Sequence, residues 1–254
     1  MFAEAILTVA ESKRLIAKGV ANHPAVLTAL SEGIVVVCKG TTNAYVAEEI
    51  LGKSIQRTDY VTGCTLPSTR EGASPVSAKL PDLVFEKGEV LDGANSKETV
   101  GKLKAGDVFI KGANAINYDR AQAALLIGHP TGGTIGAAIG VLVARRVKLL
   151  VPVGLEKNIP GDLYDVAARM SEVDQTAEKD AQPIPTFWPI PGEIFTEIEA
   201  LRLLTGCECI QTAAGGIAGA EGAVRLLIEG DEDQLRAARR FLSIIQGERP
   251  FISE

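Results

Sequence analysis

The chain has 254 residues, 46% of them hydrophobic and 23% charged, with a formal net charge of −6. That much apolar material builds a sizeable core and excludes a disordered chain. The acidic balance, with no basic run longer than Arg145-Arg146, excludes a general nucleic-acid binder, which needs clustered cations against the phosphates.

Residues 11–32 carry Leu15, Ile16, Val20, Val26, Leu27 and Leu30 at helical spacing, which predicts helix. Pro24 breaks the run into two pieces near Asn22-His23, and Gly33 ends it. Ile34-Val35-Val36-Val37-Cys38 is wholly apolar and mostly β-branched, the look of a strand covered on both faces of a parallel sheet. Lys39-Gly40-Thr41-Thr42-Asn43 follows, then a helix with Ala44, Val46, Ala47, Ile50 and Leu51 on one face and Gly52 as its stop. Thr58–Thr62 is a candidate strand, Leu83–Val90 reads as strand and turn around Gly88, and Pro67, Pro75 and Pro81 mark loops. Asp107–Lys111 is a second buried strand, followed by Gly112-Ala113-Asn114-Ala115-Ile116-Asn117 and a predicted helix over 119–127. His129-Pro130-Thr131-Gly132-Gly133-Thr134 leads into a small-residue helix, 135–146, and strand 147–153. Strands alternating with helices imply parallel βαβ units, hence an α/β fold: a Rossmann-like, mostly parallel sheet with helices on both faces, over residues 1–153.

Beyond Gly154 the texture changes, with Pro160, Pro183, Pro185, Pro189 and Pro191 crowding an irregular stretch. Residues 193–204 read as helix, Glu208–Ala213 and Ala223–Glu229 as strands, and 231–246 as a helix with Asp231 at its N-cap. This order predicts a smaller α+β domain over 154–254. Trp188 is a candidate either for packing between the two domains or for stacking on a ligand.

Ligands of open parallel sheets bind at the carboxyl ends of strands, near a change in strand order. Three loops are predicted there: 38–43, 111–117 and 129–134. In the first, Lys39, Gly40, Thr41, Thr42 and Asn43 offer an ammonium, hydroxyls, an amide and a helix start. They either cap the helix or cradle a small anion, such as a phosphate or carboxylate, on backbone N–H groups. Thr131, Gly132, Gly133 and Thr134 pose the same alternative, with glycine there for positive φ or close packing. Lys111, Gly112 and Asn114 complete the ligand-binding set, and Lys39 and Lys111 converge on one crevice if both strands are central. His23 beside Pro24 reads as structural. No cofactor is indicated. Cys38, Cys64, Cys207 and Cys209 fit no two-pair zinc spacing, so no metal is expected; as reduced thiols they point to the cytoplasm. No secretory signal is expected, because MFAEAILTVAESKR lacks a leading positive charge and a cleavage site. Ile135–Ala144 is too short to span a bilayer, so no membrane span is expected either.

Together these loops resemble the ribose phosphate isomerase / glucosamine phosphate deaminase / CoA transferase superfamily. Lys39–Asn43 looks like its phosphate-binding loop, Lys111–Asn117 like the isomerase's Asp-Gly-Ala-Asp-Glu-Ile-Asp motif, and Thr131–Thr134 like a later Gly-rich loop. The likeness spans roughly residues 10–153 and implies a modified Rossmann fold binding a phosphorylated or carboxylated metabolite, with sugar-phosphate or acyl-CoA chemistry. The motif's acidic positions are replaced by Lys111, Asn114, Ala115 and Asn117. Aldose–ketose isomerisation needs a carboxylate to carry the proton, so conventional ribose phosphate isomerisation is not expected. Lys111, Asp119 and His129 are the candidate catalytic residues. The alternative is a non-catalytic structural or regulatory homo-oligomer, whose small-residue stretch Ala213–Ala220 permits close approach at an interface.

Overall fold

The computed structural model describes residues 1–68, 72–173 and 184–252; Pro183 lies outside them. In chain order the elements are β1 (Phe2–Leu7), α1 (Val9–Ala21), α2 (Pro24–Glu32), β2 (Ile34–Val37), α3 (Thr41–Leu51), β3 (Leu83–Glu86), β4 (Glu89–Val90), α4 (Ser96–Thr99), β5 (Val108–Ile110), β6 (Ala115–Asn117), β7 (Gln122–Ile127), α5 (Gly133–Ala144), β8 (Lys148–Pro152), α6 (Leu163–Ser171), β9 (Thr186–Ile190), β10 (Glu193–Phe195), α7 (Glu197–Thr205), β11 (Glu208–Ala214), β12 (Val224–Glu229) and α8 (Glu232–Ile245).

The central sheet has six strands in the order β10-β8-β5-β2-β3-β4. β2, β5, β8 and β10 run parallel, while the hairpin β3–β4 adds antiparallel strands beyond β2. Every residue of β2 and β5 is buried, so both faces of the sheet are covered there, as their unbroken apolar runs predict. From β2 the chain proceeds to β3 on one side of the sheet; from β5 it proceeds to β8 on the other. The connections after β2 and β5 therefore depart in opposite directions and leave a crevice between them.

Two three-stranded sheets flank this one. β6, β7 and β9 pair antiparallel, with α6 packed on β9. β1, β12 and β11 also pair antiparallel and pack against α7 and α8. Three pairings join the halves of the chain: β1 with β12, β7 with β9, and β8 with β10. One apolar cluster runs from Ala5 and Leu7 through Phe109 and Leu150 to Leu235 and Ile245. No described helix is long and apolar enough to cross a membrane.

Several sequence expectations need correction. Residues 122–127 form β7, not a helix. The run Ala123-Ala124-Leu125 is buried throughout between β6 and β9, and such a contiguous apolar run lacks the period that separates strand from helix. Residues 193–195 extend the central sheet as β10, and the helix starts only after Thr196, where Thr196 and Glu199 form a capping box. Thr58–Thr62 is not a strand: Arg57–Tyr60 is a 3-10 turn. The first residues, Phe2–Leu7, form β1, burying Ala5 and Leu7 and exposing Phe2, Glu4 and Ile6. The helix break before Pro24 and the start of α8 at Asp231 are as expected.

Candidate functional site

A cleft of about 770 Å³ opens at the carboxyl ends of the central strands. The three predicted loops meet there. Lys39, Gly40, Thr41, Thr42 and Asn43 after β2 line it, as do Lys111, Gly112 and Asn114 after β5 and His129, Gly132, Gly133 and Thr134 at the start of α5. Thr131 is not in the lining; its hydroxyl and backbone amide both lie within hydrogen-bond reach of Nδ1 of His129, at 3.0 and 3.2 Å. Asp119 is not brought to the cleft, because it sits exposed in the turn between β6 and β7.

Both helix starts at the cleft lack a capping side chain. α3 begins after Gly40, whose backbone is extended (φ 166°, ψ 160°), and no side chain accepts from its first amides. Threonine and asparagine at 41–43 lie inside the helix, one residue too late to serve as the N-cap. α5 begins after Gly132, again without a side-chain cap. Gly132 and Gly133 have φ of 78° and 60°, the left-handed region in which a β-carbon is strained, and this accounts for the glycine pair. Neither helix has an acidic residue in its first turn. Among the described residues, the amides of Thr41, Thr42 and Asn43, and those of Gly133, Thr134 and Ile135, find no protein acceptor.

Asn43 does a different job from its neighbours. Its side-chain amide donates to the carbonyls of Cys38 (2.8 Å) and Ile110 (3.2 Å), tying the end of β2 to the end of β5 beneath the crevice. Its Oδ1 is buried and has no hydrogen-bond partner. On the far wall, Oδ1 of Asn114 accepts from the amide of Leu126 and fixes the loop against β7.

The charge in the lining is of one sign. Among the described residues, Lys39, Lys111 and Lys157 contribute to it, and no Asp or Glu does. The ammonium of Lys39 donates to the carbonyl of Ala78 at 3.3 Å, and neither Lys39 nor Lys111 has a carboxylate partner among the described residues. In a chain of net charge −6, this is a local positive field over two positive helix ends. Such a site suits an anion, and each charge-assisted hydrogen bond to it contributes about 1.5–3 kcal/mol. The lining holds no His, Cys and carboxylate cluster able to take a metal, and none is found elsewhere among the described residues.

Sequence reasoning missed three parts of the site. Lys157 lies five residues past the end of β8, at the end of the 3-10 turn Leu155–Lys157, outside the strand-end loops that the sequence singles out. Its amine donates to the carbonyl of Ala113 at 2.9 Å. Burial, reinforced by the nearby Lys13 and Lys111, holds its pKa below the ordinary lysine range, against the opposing pull of Glu156 and Glu197. Thr62, Gly63, Cys64 and Thr65 form a second wall from a stretch with no periodic signal. Leu125, Leu126 and Ile127 supply an apolar wall that was hidden while β7 was read as a helix.

Behind Lys157 lies a buried charged group. Lys13 of α1 pairs with Glu156 at 3.5 Å. Glu197, the first residue of α7, is fully buried and accepts from the amide of Leu155. Burial first, and the charge of Glu156 second, push the Glu197 carboxyl up to about 7. No protein-family model and no curated protein matches the chain.

Proposed function

We propose that this cleft binds a small phosphorylated or carboxylated metabolite. The observation that carries the reading is the pairing of two uncapped helix starts, α3 and α5, in one cleft whose charged side chains, among the described residues, are all lysines. The anion sits on the amides of Thr41, Thr42 and Asn43 or of Gly133, Thr134 and Ile135, with the ammonium groups of Lys39 and Lys111 beside it. The body of the ligand lies along Leu125–Ile127. The loops after β2 and β5 support a Rossmann-like core related to the ribose phosphate isomerase / glucosamine phosphate deaminase / CoA transferase superfamily. The reaction, of a sugar-phosphate or acyl-CoA type, is not conventional ribose phosphate isomerisation: among the described residues the cleft lining holds no carboxylate to carry a proton between carbons. Of the candidate proton carriers, Lys111 and His129 line the cleft and Asp119 does not.

Thermal unfolding in the presence of inorganic phosphate, phosphosugars, nucleotides and acyl-CoAs tests the proposal. A ligand at a hundred times its Kd stabilises the fold by about 2.7 kcal/mol, which raises Tm by about 5–10 °C for a chain of this size. A folded sample whose Tm none of these compounds moves would overturn the reading.

A further inference from the structure

We propose that Lys157 forms an imine with a carbonyl compound that also carries a phosphate or carboxylate. This rests on the anion reading of the cleft and adds the class of substrate and the bond made to it. Three lysines line the cleft, and they are not equivalent. Lys39 reaches outward to Ala78, and Lys111 follows β5 beside the uncapped start of α3. Lys157 is held by the carbonyl of Ala113, which accepts from its amine at 2.9 Å, and the charges that act on it are those of Lys13, Lys111, Glu156 and Glu197. Two cations and burial favour its free amine, while two carboxyls oppose them. Each unit of depression raises the free-amine fraction at neutral pH about tenfold. A desolvated lysine facing an anion site is the arrangement that covalent catalysis on carbonyl compounds requires.

The step balances without an outside oxidant or reductant. The lone pair of Lys157 Nζ adds to the carbonyl carbon, the C–N bond forms, and the C=O π pair moves to oxygen. A proton passes from nitrogen to that oxygen, giving a carbinolamine. With one further proton from solvent the hydroxyl leaves as water, and the C=N bond of the iminium forms. The positive nitrogen then withdraws electrons from the adjacent carbon.

The probe is pyridoxal 5′-phosphate, a phosphorylated aldehyde, added to the full chain, reduced with borohydride and located by peptide mass mapping. The expected result is one label per chain at Lys157, formed about tenfold faster than at exposed lysines and slowed severalfold by inorganic phosphate. K157R, checked for folding by its thermal transition, loses this label. A chain that phosphate stabilises but whose label falls on Lys39, Lys111 or scattered surface lysines, with Lys157 unmodified, overturns the imine and leaves the anion reading standing. Label at Lys157 that phosphate does not slow, and that uncharged glyceraldehyde forms equally well, supports the imine and overturns the anion reading.

Discussion

The helices of this protein start in two ways. α1, α4, α6, α7 and α8 each begin with a side chain accepting from a first-turn amide (Thr8, Asn95, Asp162, Thr196 and Asp231), and each has an acidic residue in that turn. α2 uses His23 followed by proline. α3 and α5 have neither cap nor acid, and these are the two whose starts border the cleft. A capping side chain contributes about 0.5–2 kcal/mol, so the chain forgoes stability at the two places where its amides face open space. Helices that only hold the fold satisfy their own donors. The two at the cleft leave theirs without a protein acceptor among the described residues.

The largest effect that sharpens this contrast belongs to α7, whose start is filled with the protein's own carboxyls. Glu197 titrates near 7 in the fold, against 4.5 in an ordinary setting. Between those values the folded state holds a proton that the unfolded state has released, so stability falls as pH rises through the window. The loss is about 3 kcal/mol and is complete above pH 7. Urea titrations of the native chain from pH 4.5 to 8 are expected to show this slope, and E197Q to flatten it. An unchanged slope in E197Q would remove Glu197 from the account. Next in size is a paired comparison at a capped and an uncapped helix. D231A is expected to lower stability by about 1 kcal/mol and leave any phosphate-induced rise in Tm intact. T41A is expected to lower stability by less than about 0.5 kcal/mol, since Thr41 caps nothing, while weakening the response to phosphate.

The parallel core was legible because β2 and β5 are short apolar runs rich in β-branched residues and β8 is a short, mostly apolar run, the look of strands covered on both faces of a sheet. The loops after β2 and β5 and before α5 were legible for the same reason: once the strands are placed, the position of their carboxyl ends follows. What was hidden depended on tertiary partners. Gln122–Ile127 contains good helix formers and becomes a strand only because β6 and β9 sit on either side of it. Phe2–Leu7 shows no clean alternation of apolar and polar residues, and its partner, β12, lies more than two hundred residues away. Lys157 was overlooked because nothing nearby in sequence sets it apart: the burial that lowers its pKa is supplied by the fold, and the lysines that add to it, Lys13 and Lys111, lie far along the chain. The hairpin turn between β6 and β7 carries Asp119 away from the cleft.

The central claim is that the start of α3 is left open for an anion, and G40D tests it most directly. The backbone of Gly40 is extended, which any residue adopts, and an added β-carbon meets only Cβ of Asn43, at 3.9 Å. An aspartate there places a carboxylate on the amides of Thr41, Thr42 and Asn43. Thermal unfolding of the native chain and of G40D, each with and without inorganic phosphate, is expected to show a variant about 0.5–2 kcal/mol more stable on its own and no longer stabilised by phosphate. A variant that gains its cap and still responds to phosphate as the native chain does would contradict the account.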